Sequence, residues 1–167
     1  VGSEWVDVNN IGTYTSSKSW TYYDFTSEYV SSKWRVYCTK GTASSIAFTE
    51  FQFYGRTPIT SQSIQLNPNM TSATTPYGEV ITDATPLSNT QPYYAFDGTI
   101  LDMFKAELAN KYLGYIFDVP TVVKRFTINS VQTTAGQRWY KAKLQVSADG
   151  TTWTDFDTYT NTNHANV

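Results

Sequence analysis

The chain has 167 residues, of which 16% are charged and 16% aromatic, and its formal net charge is −2. That leaves room for one ordinary domain or two incomplete ones, without the basic field that a nucleic-acid-binding surface needs. The single cysteine, Cys38, excludes an internal disulfide framework and a cysteine zinc cluster, and no apolar run approaches the roughly 20 residues of a membrane span.

Thr, Ser and aromatic residues are abundant while Leu and Ala are scarce, a mixture that suits half-buried pleated surfaces better than helices. The chain begins at Val1 and not at a methionine, so processing or excision from a longer polypeptide is expected and missing targeting signals carry no weight. After a turn at Gly2, Trp5 to Val8 reads as a short strand, and Asn9 to Ser19 as a loop. Trp20 to Phe25 is a second strand. Lys33 to Cys38 is the clearest one: Trp34, Val36 and Cys38 share one face, and Lys33, Arg35 and Tyr37 the other. On that face Cys38 reads as a small buried apolar residue.

Between Ile46 and Gly55 the apolar phase slips. Ile46 and Phe48 fall on even positions, Phe51 and Phe53 on odd ones. A strand cannot change face, so a β-bulge near Thr49-Glu50 is expected to absorb one residue. Glu50 is then either a solvated edge charge, or an oxygen ligand or buried acceptor. Arg56 to Pro68 is polar and bounded by prolines, and it reads as a linker. The domain reading is therefore 1–56, a linker at 57–66, and 67–167.

Thr71 to Pro92 is rich in turn residues, with one strand expected around Gly78 to Ile81. Tyr93 to Thr99 is a compact turn. Ile100, Met103, Phe104, Glu107 and Leu108 fall at helical spacing and predict the only helix, two or three turns long, with Asp97 or Thr99 as its cap. Leu113, Tyr115, Phe117 and Val119 then share a strand face until Pro120, which is expected to stop the strand. Lys124 to Asn129 continues after a turn. Ala142, Leu144 and Val146 alternate with polar residues, and Asp149-Gly150 predicts a tight turn into Thr151 to Tyr159. Short strands separated by turn clusters predict an all-β antiparallel sandwich with at most one short helix.

One motif occurs twice. Gly150-Thr-Thr-Trp153-Thr-Asp155-Phe156 and Gly2-Ser-Glu-Trp5-Val-Asp7-Val8 share a skeleton at an offset of 148 positions (Trp5 to Trp153, Asp7 to Asp155). The chain thus opens in the middle of one unit and closes just past the same point of the next.

Four stretches together resemble the discoidin, or coagulation factor 5/8 type C, family of galactose-binding-like jelly rolls. They are Ala95-Phe-Asp97-Gly98; Leu113-Gly-Tyr-Ile-Phe-Asp118 with Val122-Val-Lys-Arg-Phe-Thr-Ile128; Lys143-Leu-Gln-Val-Ser147-Ala-Asp149-Gly150-Thr-Thr-Trp153; and Lys33-Trp-Arg-Val-Tyr37 with Ile46-Ala-Phe-Thr-Glu50-Phe-Gln-Phe-Tyr-Gly55. The resemblance implies a jelly-roll β-sandwich. Its order is altered: residues 1–56 look like the closing third of one unit and 67–167 like the opening two thirds of the next. Either two incomplete sandwiches sit side by side, or 1–56 completes the sandwich of 67–167. Contact between Glu50 and Asp97 distinguishes the second case from the first.

The resemblance also implies a structural calcium held by Asp97 and Glu50, although Gly98-Thr-Ile-Leu101 departs from the family's usual continuation of that turn. Asp97 as the cap of a turn or helix is the alternative. Sugar-binding members use loop aromatics with arginine or amide groups. The candidates here are Arg138, Trp139 and Tyr140, with Tyr93 and Tyr94 after them; Trp139 as a core or intersubunit plug is the alternative. No nucleophile–base pairing, phosphate loop or metal-ligand spacing is visible, and the one histidine, His164, lies in a polar tail. The expectation is a non-catalytic adhesion or receptor-binding module, with a cell-surface glycan as partner, in a multidomain virion-fibre or extracellular protein. The alternatives are a structural spacer that contacts neighbouring subunits in a larger oligomeric assembly, and the carbohydrate-binding module of a secreted glycoside hydrolase.

Overall fold

A computed structural model describes residues 20–25, 29–41, 45–56, 63–107, 110–129 and 139–160. In chain order their strands are β1 (Trp20–Asp24), β2 (Val30–Gly41), β3 (Ser45–Phe48), β4 (Glu50–Arg56), β5 (Ser63–Gln65), β6 (Glu79–Thr82), β7 (Phe104–Glu107), β8 (Lys111–Val122), β9 (Arg125–Asn129), β10 (Trp139–Ser147) and β11 (Thr154–Thr160). The predicted strand at Trp5–Val8 and the loop after it lie outside the described residues.

The strands form a four-stranded sheet, β1-β9-β4-β5, a five-stranded sheet, β11-β10-β2-β8-β6, and the pair β3-β7, all antiparallel. The period-two faces explain why they pack. Trp34, Val36 and Cys38 on β2, Leu113, Tyr115 and Phe117 on β8, and Ala142, Leu144 and Val146 on β10 are all buried. So are Phe51 and Phe53 on β4 and Phe126 and Ile128 on β9. Rings bridge the two sheets: the Trp34 and Phe53 centroids are 6.4 Å apart, and those of Phe53 and Phe117 5.8 Å. The chain is an all-β fold with one apolar core between its sheets.

Strands from residues 20–56 interleave with those from 63–160. β1 pairs with β9, β2 lies between β10 and β8, β3 pairs with β7, and β4 lies between β9 and β5. Inside the stretch read as a linker, Ser63–Gln65 forms β5 against β4.

Four local expectations are corrected. The phase slip at Glu50 is not a bulge in one strand. β3 ends at Phe48, Thr49 turns the corner, and β4 begins at Glu50 in another sheet. Thr49 is fixed there by its N–H donating to the Asn129 carbonyl at 2.9 Å and its hydroxyl to Asn129 Oδ1 at 2.7 Å.

The predicted helix is a strand. Phe104–Glu107 is β7, with Phe104 and Ala106 buried against β3 while Ile100 and Leu101 are exposed. The helical stripe was a coincidence of spacing, and the only helical turn among the described residues is a 3-10 turn at Pro92–Phe96. Nor does Pro120 end β8. The pairing of β8 with β2 jumps from Lys33↔Ile116 to Ser31↔Thr121, so Pro120 sits in a bulge where no ladder hydrogen bond is asked of it. Finally, β11 starts at Thr154 and not at Thr151, because Asp149 Oδ1 holds the Thr151 and Thr152 N–H groups at 2.7 Å each in a longer turn.

Gly114 lets β8 lie close to β2. A Cβ there would fall 2.5 Å from the Trp34 carbonyl oxygen and 2.6 Å from Arg35 Cβ. Gly114→Ala is therefore expected to destabilise by about 1–3 kcal/mol, read as a lower urea midpoint; an unchanged midpoint would contradict this close approach.

Candidate functional site

Glu50 opens β4 and lies opposite Asn129 of β9. Phe51 and Phe53 take the core face, so Glu50, Gln52 and Tyr54 take the other. That geometry would suit a solvated edge charge, yet Glu50 is fully buried, which overturns that reading. Its Oε2 accepts the Gly98 N–H at 3.0 Å, and its Oε1 has no hydrogen-bond partner. Asn129 Nδ2, on the same rung, and Thr127 Oγ1, two rungs along, are buried without partners too.

Asp97 follows the 3-10 turn, where Phe96 is anchored in the core and its carbonyl accepts the Met70 N–H at 2.7 Å. Asp97 is the C-cap residue of that turn, so the capping alternative holds, though not for a helix at 100–108. Its Oδ1 accepts the Thr99 N–H at 2.9 Å, an Asx turn. Gly98 then has φ +81° and sits against Asn69, so a side chain would be both strained and obstructed there. The two segments therefore meet at Glu50, Asp97 and Gly98.

Burial pushes the Glu50 carboxyl up to about 9, and the nearby Asp97 charge adds to this, while the Gly98 N–H works against it. Asp97 is raised as well, mainly by burial, with the Thr99 N–H opposing. Two carboxyl groups in a dry place cannot both stay ionised without a counter-charge. A proton or a cation must therefore sit with them. Hard oxygens with one unpartnered, buried Oε1 fit a divalent cation such as calcium. Among the described residues no group of three or more Asp, Glu, His or Cys forms a metal cluster, so further ligands would be carbonyl oxygens or water.

Tyr93 and Tyr94 lie in the same 3-10 turn, with ring centroids 4.8 Å apart in an edge-to-face arrangement. Tyr93 packs against the core, and both rings are half-buried. The Tyr94 hydroxyl is pushed up by its hydrogen bond to Tyr93 and further by the Tyr93, Asp102 and Asp97 charges. The turn thus places the Tyr94 hydroxyl in the field of two carboxylates. The other candidates are not brought to this surface by anything described. Arg138 lies outside the described residues. Trp139 and Tyr140 begin β10, where Trp139 pairs with Gly41, and their side chains also lie outside what is described.

A second cluster escaped the sequence reading. On the outer face of the five-stranded sheet, the Arg35 guanidinium carbon lies 3.9 Å from the Trp153 ring centroid and 4.3 Å from that of Tyr112. Arg35 Nε donates to Gln145 Oε1 at 2.8 Å, and Gln145 Nε2 donates to Asp155 Oδ1 at 2.6 Å. Lys143 Nζ closes the chain on Asp155 Oδ2 at 2.5 Å. Burial lowers the Arg35 value, and the Tyr112 and Asp83 charges oppose that. Burial also pulls Asp155 upward, but the Lys143 and Gln145 hydrogen bonds outweigh it and hold the carboxyl below its ordinary value. The only early signal was the placement of Arg35 on the polar face of the clearest strand.

Compared with protein-family models, curated proteins and solved structures, the chain matches none.

Proposed function

We propose that the chain is a non-catalytic β-sandwich module for adhesion or receptor binding, built as a galactose-binding-like jelly roll, and that it binds a cell-surface glycan at the Tyr93–Tyr94 turn. The observation that carries this is the half-buried Tyr93–Tyr94 ring pair, with Tyr94 in the field of Asp97 and Asp102. Rings of this kind stack on the C–H face of a sugar while carboxylates accept its hydroxyls. Asp97 and Glu50 would hold a structural calcium that fixes the turn. Such a cation would supply the positive charge that lets both carboxyl groups ionise. The complete burial of Glu50, with the Gly98 N–H on its Oε2, supports a role in holding the turn.

A glycan array probed with the full chain tests the reading. At least one glycan should bind, and Tyr94→Ala, the loss of a half-buried ring, should weaken it roughly tenfold while lowering the urea midpoint far less than a core substitution does. Undiminished binding by Tyr94→Ala would contradict the site. A second reading, contact with a neighbouring subunit in a virion or extracellular assembly, is favoured by Leu101, which is 82% exposed three residues beyond Gly98. Binding to no glycan, together with self-association lost in Leu101→Ser, would favour that reading instead.

A further inference from the structure

Arg35 is a half-buried cation that forms no ion pair among the described residues. The Asp155 carboxylate lies in its field, but Lys143 Nζ and Gln145 Nε2 occupy both of its oxygens. Asp83 acts on Arg35 only through space, and its Oδ1 accepts the Tyr112 N–H at 2.8 Å. Burial works against the Arg35 charge. A desolvated guanidinium without a counter-charge favours whatever anion can reach it.

The surroundings are set in advance. In the ladder Arg35 faces Gln145 on one side and Gly114 on the other. Gln145, itself buried, takes the Arg35 Nε–H at 2.8 Å and so fixes the direction of the guanidinium. Gly114 offers no side chain, and Tyr112 and Tyr37, paired across β8 and β2, flank the cation there. Trp153 flanks it from the turn after β10. Its Nε1 donates to the Gly150 carbonyl at 3.2 Å, and the Gly150 N–H donates to Ser147 Oγ at 2.8 Å. Tyr37, Tyr112 and Trp153 are half-buried, so each keeps part of its ring surface in solvent. Rings and cation therefore lose little freedom when a ligand arrives.

We propose that this face of the five-stranded sheet binds an acidic sugar, with Arg35 holding its carboxylate and Trp153, Tyr112 and Tyr37 supplying the apolar surface for its ring. With Nε given to Gln145, the Nη end of the guanidinium is the part left for a bidentate pair with a carboxylate. A bare anion would use the cation alone. The three rings around it add the kind of surface on which the C–H face of a sugar packs. The site shares no residue with the Tyr93–Tyr94 turn and does not rest on glycan binding there.

The test is a nuclear magnetic resonance titration of the full chain with the methyl glycosides of glucuronic acid and of sialic acid, with methyl glucoside and with acetate. At least one acidic glycoside should shift the Trp153 Nε1–H and Arg35 Nε–H signals. It should bind roughly tenfold more tightly than the glucoside, which lacks the carboxylate, or acetate, which lacks the ring. Arg35→Lys keeps the charge but loses the fork, and should weaken that binding roughly tenfold. Tyr94→Ala should leave it unchanged, which separates this site from the turn. No shift of these signals by either acidic glycoside overturns the proposal, as does equal binding of the glucoside or of acetate. Undiminished binding by a folded Arg35→Lys chain overturns it too. If circular dichroism shows Arg35→Lys to be unfolded, the comparison of ligands on the unsubstituted chain decides.

Discussion

Replacing Trp34 by alanine is expected to lower stability by about 3–5 kcal/mol, measured by urea unfolding. Trp34 is fully buried in the middle of β2. Its ring meets Phe25, Phe53 and Phe156, and so joins β2 to the four-stranded sheet and to the β11 edge. Its Nε1 donates to the Ser31 carbonyl at 2.9 Å, a buried acceptor that the substitution would orphan. Cavity and lost hydrogen bond act together, so the effect should exceed that of a buried aliphatic residue at the edge of the core, such as Val80. Equal losses for Trp34→Ala and Val80→Ala would mean that the core is not centred where the ring contacts place it.

The metal-free protein is expected to lose stability as pH rises from about 5 to about 8, by about 2–4 kcal/mol. The folded Glu50 carboxyl titrates near 9 against an ordinary 4.5. A group whose folded value is raised contributes its stability fully below the ordinary value and loses it progressively as pH climbs toward the folded one. Asp97 is shifted the same way. Glu50→Gln should flatten the profile, since the amide cannot ionise. Calcium at about 100 times its dissociation constant should restore about 2.7 kcal/mol at the alkaline end, and it should do so in the unsubstituted chain only. A urea midpoint that rises with pH in chelator, or an equal slope in Glu50→Gln, would remove the buried carboxyl pair from the account.

The strand faces of this fold are legible because period two survives burial. Trp34, Val36 and Cys38, and Ala142, Leu144 and Val146, were placed on core faces from alternation alone, and all are buried. Glu50 was visible as a break in phase. Its cause was misread, because a bulge and a change of sheet leave the same mark in sequence, and only the partners of β3 and β4 separate them. The helix at 100–108 failed for the opposite reason: Phe104 and Ala106 form a strand too short for alternation to outweigh a chance helical stripe. Asp97 and Glu50 were paired by resemblance, and the Gly98–Glu50 hydrogen bond brings them together. The Arg35, Tyr112 and Trp153 cluster could not be read, because it joins three segments whose registers no local pattern fixes.

The central claim is that the turn beside Glu50 and Asp97 presents a glycan-binding surface. It is tested most directly by one glycan array run in calcium and again in chelator. The account predicts binding to at least one glycan in calcium, weakened in chelator at pH 8 and lost with Tyr93→Ala and Tyr94→Ala combined. No binding to any glycan in calcium, or binding indifferent to both tyrosines, would contradict it.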